Sequence, residues 1–84
     1  MPKFKKKPVV IEAVKWTGYN YSEVIILAEK STRKMYLNHN KTLTIYTLEG
    51  DHIANIGDWV IKGVKDELYP CRGDIFEMTY EPCD

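Results

Sequence analysis

The amino-acid sequence predicts an α+β fold: a mainly antiparallel sheet of five or six short strands, one helix packed on it at about residues 21–30, and a short helical turn near residues 74–78. Two observations lead to this prediction. Short runs of β-branched and aromatic residues alternate with turn residues such as glycine, asparagine and aspartate. One stretch instead repeats apolar residues at helical spacing. Because 84 residues are too few for separate cores, we expect one domain over residues 1–84.

Composition places the chain among globular proteins. Apolar residues make up 44% and aromatic residues 12% of the sequence, which is enough material for a core. No apolar run approaches the roughly 18 residues that span a bilayer, so we expect no membrane partner and a cytoplasmic location. Two cysteines, Cys71 and Cys83, are too few for the disulfide framework of a small secreted domain, and we expect both to be free thiols.

The net charge is zero, but its distribution is uneven. Residues 1–15 carry five lysines against one glutamate, and residues 66–84 carry one arginine against six acidic residues. Zero net charge disfavours nucleic acid as a partner, because non-specific binding needs several unopposed phosphate contacts. We expect the basic arm, residues 1–7, to be flexible and solvated. Its attraction to the acidic end of a second copy would give a salt-dependent dimer.

The first two elements follow from the pattern of residues 9–30. The run "VVIEAVKW" at 9–16 is rich in β-branched residues and has one nearly all-apolar face, which predicts a central strand. Asn20 followed by Glu23 is a capping-box pattern and predicts the start of a helix. The apolar stripe that follows at helical spacing consists of Tyr21, Val24, Ile25 and Ala28. We expect this stripe to pack on the sheet.

Short extended runs separated by turn residues fill the middle of the chain and predict a meander. The predicted strands are 34–38, 42–48, 51–54, 58–64 and 67–71. Asp74 followed by Glu77 repeats the capping pattern, with apolar residues around it. We therefore expect a helical turn near residues 74–78 that leads into an edge strand.

The stretch "GDWVIKGVKDELYPC" at 57–71 has a structural and a functional interpretation. Gly57 and Asp58 favour a turn, and the residues after them predict a hairpin, which we regard as the main reason for the pattern. The functional interpretation is a groove in which a planar or phosphorylated ligand stacks on an aromatic ring and meets a guanidinium group. Its candidate residues are Trp59, Lys62, Tyr69 and Arg72, with Trp16 and Tyr46 belonging either to the same surface or to the core.

Catalytic and metal chemistry have less support in the sequence. A minor enzyme would use Cys71 or the acidic residues near the C-terminal end, but the chain has no glycine-rich phosphate loop, G-x-S-x-G or H-E-x-x-H motif. His39 and His52 with the two cysteines give four zinc-binding residue types, yet no pair has the close spacing of structural zinc sites. We expect no catalytic residues, no metal and no cofactor, and keep the minor enzyme as an alternative.

Three segments of the chain, in order, resemble a family of small phage and prophage proteins whose label comes from a Pro-Gly-Asp-Tyr-Gly motif. They are "KKPVVIEAVKWTG" near the start, "LTIYTLEG" in the middle and "GDWVIKGVKDELYPCRGDIFEMTYEP" at the end. The resemblance covers roughly residues 5–82. At the motif, this chain has Ile56, Trp59 and Val60 where the family has proline, tyrosine and glycine. The resemblance implies a phage or prophage gene product in a bacterial cytoplasm and supplies no catalytic residues.

Together these observations predict a non-enzymatic phage accessory protein that acts by binding a host factor, for example in counter-defence. In one mode it binds a host protein through an exposed aromatic and charged patch around Tyr19, Tyr21, Tyr36 and Tyr46. In the other mode it captures a small, nucleotide-like molecule. Ligand pockets usually enclose about 300–1,000 Å³, more than we expect from one copy of so short a chain, so this mode predicts a homo-oligomer with pockets between subunits.

Overall fold

The computed structural model describes residues 2–5, 8–31, 34–47 and 49–83. Its elements, in chain order, are β1 (Glu12–Lys15), α1 (Tyr21–Glu29), β2 (Met35–Leu37), β3 (Leu43–Thr47), β4 (Gly50–Ala54), β5 (Trp59–Lys62), β6 (Leu68–Cys71) and α2 (Gly73–Thr79). The predicted α+β class is confirmed. Neither of the two helices in these ranges is both long and apolar enough to cross a membrane.

The six strands of the described residues form two antiparallel sheets of three strands, and not the single sheet that the sequence predicts. The first sheet has the order β1-β5-β6, and the second has the order β2-β3-β4. β6 lies against β3 and β4, so the two sheets pack on each other. Each small sheet has an apolar face, and stacking these faces buries both of them in a short chain.

The turn between β4 and β5 is where the chain changes sheets. Asp58 Oδ2 accepts a hydrogen bond from the Asn55 N–H at 2.8 Å, and the Asp58 N–H donates to the Asn55 carbonyl oxygen at 2.9 Å. Gly57 has a φ of +98°, a left-handed conformation that other residues reach only with strain. Two backbone hydrogen bonds, of 2.7 and 2.8 Å, fix this turn to Trp16 at the end of β1. β5 therefore pairs with β1 instead of continuing beside β4.

The core lies between the two sheets and under α1. Its buried side chains come from both sheets, from α1 and from the residue after β1, and they are Trp16, Val24, Leu27, Leu43, Ile45, Ala54, Val60 and Leu68. α1 contributes two of them, Val24 and Leu27, so the predicted packing of a helix on a sheet is present. Leu27 takes the place of Ile25 of the predicted stripe, which is not part of the cluster. Because every layer shares this one cluster, the sheets and the helix stabilise one another.

α1 begins where the sequence predicts, but Asn20 does not cap it in the predicted way. Asn20 occupies the N-cap position, yet its side chain makes no capping hydrogen bond to the helix. Its Oδ1 instead accepts from the backbone N–H and the hydroxyl of Thr17, each at 3.0 Å, and its Nδ2 donates to the Lys15 carbonyl oxygen at 2.7 Å. The side chain thus fixes the loop that precedes the helix. α1 ends at Glu29, one residue before the predicted end.

The remaining elements differ from the predicted ones mainly at their ends. The exception is β1, which is an edge strand of its sheet and not the predicted central strand, because the turn between β4 and β5 places β5 between β1 and β6. β1 begins at Glu12, so residues 9–11 lie outside the sheet. α2 is longer than the predicted turn, and Arg72 is at its N-cap position in place of Asp74. The described residues after α2, 80–83, form no edge strand.

Some predicted features fall partly outside the described residues. Of the predicted basic arm, residues 2–5 are exposed, whereas positions 1, 6 and 7 lie outside the described residues. Position 48, the end of the predicted strand 42–48, also lies outside them.

We predict that Ile45→Ala lowers the free energy of unfolding by about 2–5 kcal/mol, because Ile45 is fully buried and its truncation leaves a cavity between the sheets. Ile26→Ala is the matched control: Ile26 on α1 is 58% exposed, so its truncation should cost less than about 1 kcal/mol. Urea unfolding followed by tryptophan fluorescence measures both changes. Equal losses in the two variants would contradict this assignment of the core.

Candidate functional site

The two faces of the first sheet have different surroundings. Val60 of β5 belongs to the core, whereas its neighbours Trp59 and Ile61 lie on the opposite face, because side chains alternate along a strand. The strand register adds Tyr69 and Cys71 of β6 to that opposite face. α2 lies over this face, and it does so through aromatic contacts.

Three stacked aromatic rings hold α2 in place. Phe76 of α2 stacks on Trp59, with ring centroids 4.1 Å apart and 10° between the planes. Tyr80, just after α2, stacks on Phe76 at 4.9 Å and 28°. Such pairs contribute about 0.5–1.5 kcal/mol each beyond the area that they bury. Phe76 therefore occupies one face of the Trp59 ring, and a ligand cannot stack on that face in the way the sequence predicts.

A hydrogen bond between the side chains of Tyr69 and Tyr80 connects the aromatic stack to β6. Burial, this hydrogen bond and the neighbouring ionisable groups raise the pKa of Tyr69 to about 12, with burial as the largest cause. Tyr69 is consequently a neutral phenol at physiological pH. Its hydroxyl group contributes a hydrogen bond within the fold and no charge.

A groove runs beside the stack, between residues 9–11 and the segment that follows α2. It has a volume of about 550 Å³ and is open to solvent. We call it the aromatic groove, and its lining residues are Val9, Val10, Ile11, Ala13, Trp59, Phe76, Glu77, Tyr80, Glu81, Pro82 and Cys83. A neighbouring open groove of about 590 Å³ shares residues 9–11 and Tyr80 and reaches Tyr69.

The aromatic groove combines exposed apolar surface with negative charge. Val10 in its wall is 77% exposed. The charged residues of the lining are two exposed glutamates, Glu77 and Glu81. This arrangement is complementary to an apolar group that has positive charge next to it.

One polar group in the groove wall lacks a partner. The indole Nε1 of Trp59 is buried and makes no hydrogen bond with the described residues. A buried donor without an acceptor costs about 1–3 kcal/mol. The indole N–H of Trp59 is thus a buried donor for which the described residues supply no acceptor.

The structure brings together only two of the six candidate site residues. Trp59 and Tyr69 share the face under α2. Lys62 lies on the opposite face of β5, where its ammonium group is 3.8 Å from Glu12 Oε1 and 3.2 Å from Asp66 Oδ1. Lys62 therefore does not join Trp59 in a groove.

The other three candidates do not line the aromatic groove. Arg72 pairs with Asp74 at 3.0 Å on the surface. Trp16 is fully buried in the core, and its Nε1 donates to the Lys41 carbonyl oxygen at 2.7 Å. Tyr46 is exposed on the second sheet. Trp16 thus belongs to the core, whereas Tyr46 belongs neither to the core nor to the surface around Trp59.

The predicted patch of four tyrosines is also divided. Tyr36 and Tyr46 lie on the exposed face of the second sheet. Tyr21 packs edge-on against Trp16, with ring centroids 6.3 Å apart, and is partly buried. Tyr19 is 90% exposed in the loop before α1. Two of the four tyrosines thus form a common surface.

Cys71 has surroundings that disfavour nucleophilic chemistry. Burial and the nearby carboxylates Asp58 and Asp74 raise the pKa of its thiol. A nucleophilic cysteine needs a lowered pKa, so these surroundings keep the thiol protonated. Within the part of the chain that the structure describes, no three His, Cys, Asp or Glu side chains are grouped closely enough to hold a metal ion.

Sequence reasoning missed Phe76, Tyr80 and residues 9–11 as parts of a site. Phe76 and Tyr80 are four residues apart, and this spacing indicates a common helix face. Residues 9–11 predict a strand because they are β-branched, whereas in the structure they precede β1 and line the aromatic groove. No local sequence signal distinguishes a β-branched groove wall from a strand.

Comparisons of the chain with models of protein families, with curated proteins and with solved structures find no match. The chemistry of the site is therefore inferred from its geometry.

We predict that the stability of the wild-type protein falls more steeply between about pH 10 and pH 12 than that of Tyr69→Phe. In the unfolded chain Tyr69 ionises near its ordinary value of 10.0, whereas in the folded chain its pKa is about 12. As the pH rises, the unfolded state loses its proton first, so a contribution that is complete below pH 10 is lost by pH 12. Urea midpoints at several pH values measure the slopes, and equal slopes would contradict the buried, hydrogen-bonded position of Tyr69.

Proposed function

We propose that the protein is a phage or prophage accessory protein that binds a host protein, and that the aromatic groove is its binding site. The observation that supports this most is the exposed apolar wall of the groove, with Val10 77% exposed, beside a stack of fixed aromatic rings. Rigid aromatic side chains are typical anchors of protein interfaces, because they lose little conformational entropy on binding.

Charge indicates the chemistry of the partner segment. Glu77 and Glu81 are the charged residues of the groove lining. An apolar side chain that enters the groove would have lysine or arginine beside it in the partner, since opposite charges favour the correct encounter and orientation. The proposed ligand is thus a segment of a host protein with an apolar anchor and flanking basic residues.

The open shape of the groove favours a protein segment over a small molecule. Small-molecule sites usually bury most of their ligand. The aromatic groove is open to solvent and lies next to a second groove of about 590 Å³, with which it shares Tyr80 and residues 9–11. Successive side chains of one partner segment would occupy the two grooves in turn.

The phage setting of this proposal comes from the resemblance of the three sequence segments to small phage and prophage proteins. This resemblance implies that the protein acts in the cytoplasm of a bacterial host. A chain of this size can act there without catalysis, by covering a functional surface of a host protein such as a component of defence. The raised pKa of the Cys71 thiol supports binding over chemistry.

A small planar molecule is the second candidate for the same groove. The aromatic rings of Trp59, Phe76 and Tyr80 in the groove lining support it, because planar ligands pack well against aromatic side chains. Glu77 and Glu81 disfavour a phosphorylated ligand, so a neutral or cationic ring system fits better than a nucleotide. The groove lies within one copy, so this version needs no pocket between subunits.

We predict that Val10→Asp weakens binding of the host protein at least about tenfold, because it places a carboxylate in an apolar wall that already has negative charge beside it. Affinity purification from a lysate of the bacterial host, with quantitative mass spectrometry, compares the variant with the wild type. The protein recovered with the wild type is then purified and titrated into both forms by calorimetry, which measures direct binding.

Ile26→Asp is the matched control, because it adds the same charge at an exposed apolar position of α1 that does not line the groove. This variant should retain the wild-type affinity. If the two aspartate variants bind alike, the groove is not the site. If native mass spectrometry of the purified protein finds a retained small molecule and no protein, the second candidate replaces the first.

A further inference from the structure

The exposed face of the second sheet carries an ordered pattern of side chains. Residues opposite each other in an antiparallel sheet share a face, as do alternate residues along a strand. One row across β2, β3 and β4 is Tyr36, Thr44 and Ile53. The next row is Lys34, Tyr46 and Asp51. Lys34 belongs to it because its carbonyl oxygen accepts a hydrogen bond from the Tyr46 N–H at 3.0 Å. We call these six residues the outer face.

The outer face presents apolar surface to water. Tyr36 is 52% exposed, Ile53 is 51% exposed and Tyr46 is 42% exposed. The hydroxyl of Thr44, at the centre, accepts a hydrogen bond from Asn38 Nδ2 at 2.9 Å. Covering this threonine would therefore not leave its oxygen unpaired. A group of exposed apolar side chains around a satisfied polar centre is typical of a surface that is buried on association.

The charges of the outer face are self-complementary. Lys34 and Asp51 lie at opposite ends of one row, with Tyr46 between them. A second copy related by a twofold axis parallel to β3 presents the same row in reverse order. Lys34 of each copy then faces Asp51 of the other, Tyr36 faces Ile53, and Tyr46 faces its own symmetry mate. A twofold axis at right angles to the strands would place neither charge opposite its counterpart.

We propose that the protein forms a twofold symmetric homodimer through the outer face, with two Lys34–Asp51 pairs at the edges and the Tyr46 rings at the centre. The two sheets would then pack face to face, as in a β-sandwich. A second copy of this chain is the occupant that the pattern fits, because the face supplies both members of each pair of contacts.

The size of the outer face makes the dimer weak. The three strands have three, five and five residues. At a spacing of about 4.8 Å between strands and about 3.3 Å per residue they cover roughly 14 by 10–17 Å. A standard protein interface buries about 800 Å² on each partner, which is more than this area supplies. We therefore expect a dimer that forms only at high protein concentration, and a chain that is monomeric in dilute solution.

The dimer leaves the aromatic groove accessible. The groove lies on the α2 side of the first sheet, whereas the outer face lies on the far side of the second sheet. Each dimer would present two grooves. The dimer does not depend on the proposed function, since a chain that binds no host protein would still associate through the outer face.

Sedimentation equilibrium of the purified full-length chain, from about 1 μM to 1 mM, tests the dimer. The average mass should rise from the monomer value of 9.8 kDa towards twice that value. Ile53→Asp should keep the chain monomeric over the whole range, while Ile26→Asp, on the exposed side of α1, should dimerise like the wild type. Circular dichroism checks that both variants are folded.

A charge exchange tests the geometry. Lys34→Glu alone places two carboxylates opposite each other, and Asp51→Lys alone places two ammonium groups opposite each other, so each variant should dimerise at least about fivefold more weakly. A mixture of the two should form a heterodimer with near wild-type affinity, because every charged pair is then restored. This rescue is specific to an isologous interface in which these two residues meet.

Three results would overturn the proposal. The first is a monomer at every concentration. The second is a dimer that Ile53→Asp does not weaken. The third is a dimer that Lys3→Glu with Lys5→Glu weakens and that the exchange at Lys34 and Asp51 leaves unchanged, which would identify the oppositely charged chain ends as the interface.

Discussion

Trp16 connects parts of the molecule that are distant in sequence. Its backbone N–H donates to the Asp58 carbonyl oxygen at 2.8 Å, and its carbonyl oxygen accepts from the Gly57 N–H at 2.7 Å, so the end of β1 is bound to the turn that enters β5. Its fully buried indole donates to the Lys41 carbonyl oxygen in the connection between β2 and β3. One residue thus joins the first sheet, the turn between the sheets and the second sheet. Because a buried donor without an acceptor costs about 1–3 kcal/mol, this hydrogen bond satisfies the indole N–H that the packing of Trp16 buries.

The division into two sheets decides which surfaces are available for binding. One face of each sheet is buried between the layers, so each sheet keeps a second face directed away from the core. α2 covers one of these faces, but its seven residues are too few to cover all of it, and the aromatic groove is the part left open. The face of the second sheet has no element of the described chain packed on it, which leaves Tyr36, Tyr46 and Ile53 about half exposed. Both candidate surfaces are therefore consequences of the same packing.

Local patterns were sufficient to predict the elements, whereas the long-range arrangement was not predictable from them. Alternating β-branched and aromatic residues indicated all six strands, and helical spacing indicated α1 to within one residue. The single predicted sheet was wrong because strand pairing depends on the two hydrogen bonds of Trp16 with the turn at Gly57, which no local pattern contains. The candidate site was dispersed for a similar reason: Lys62 and Trp59 are three residues apart, and this odd spacing puts them on opposite faces of β5. The stack of Phe76 on Trp59 joins residues 17 positions apart and required the packed structure to be recognised.

Two small surfaces on opposite sides of a short chain can act together although each is weak. Association costs the two partners translational and rotational entropy, and only the interaction energy beyond this cost appears as affinity. A groove that holds a few side chains provides little energy beyond it. A dimer presents two grooves, so a host target with two copies of the recognised segment would bind more tightly to the dimer than to a single groove. The second groove then binds within the same complex, at an effective concentration that reaches millimolar values for short spans, and the combined affinity exceeds that of one groove by about 10²–10⁴-fold. Self-association through the outer face would thus supply, by symmetry, the binding strength that a chain of 84 residues cannot obtain from a single groove.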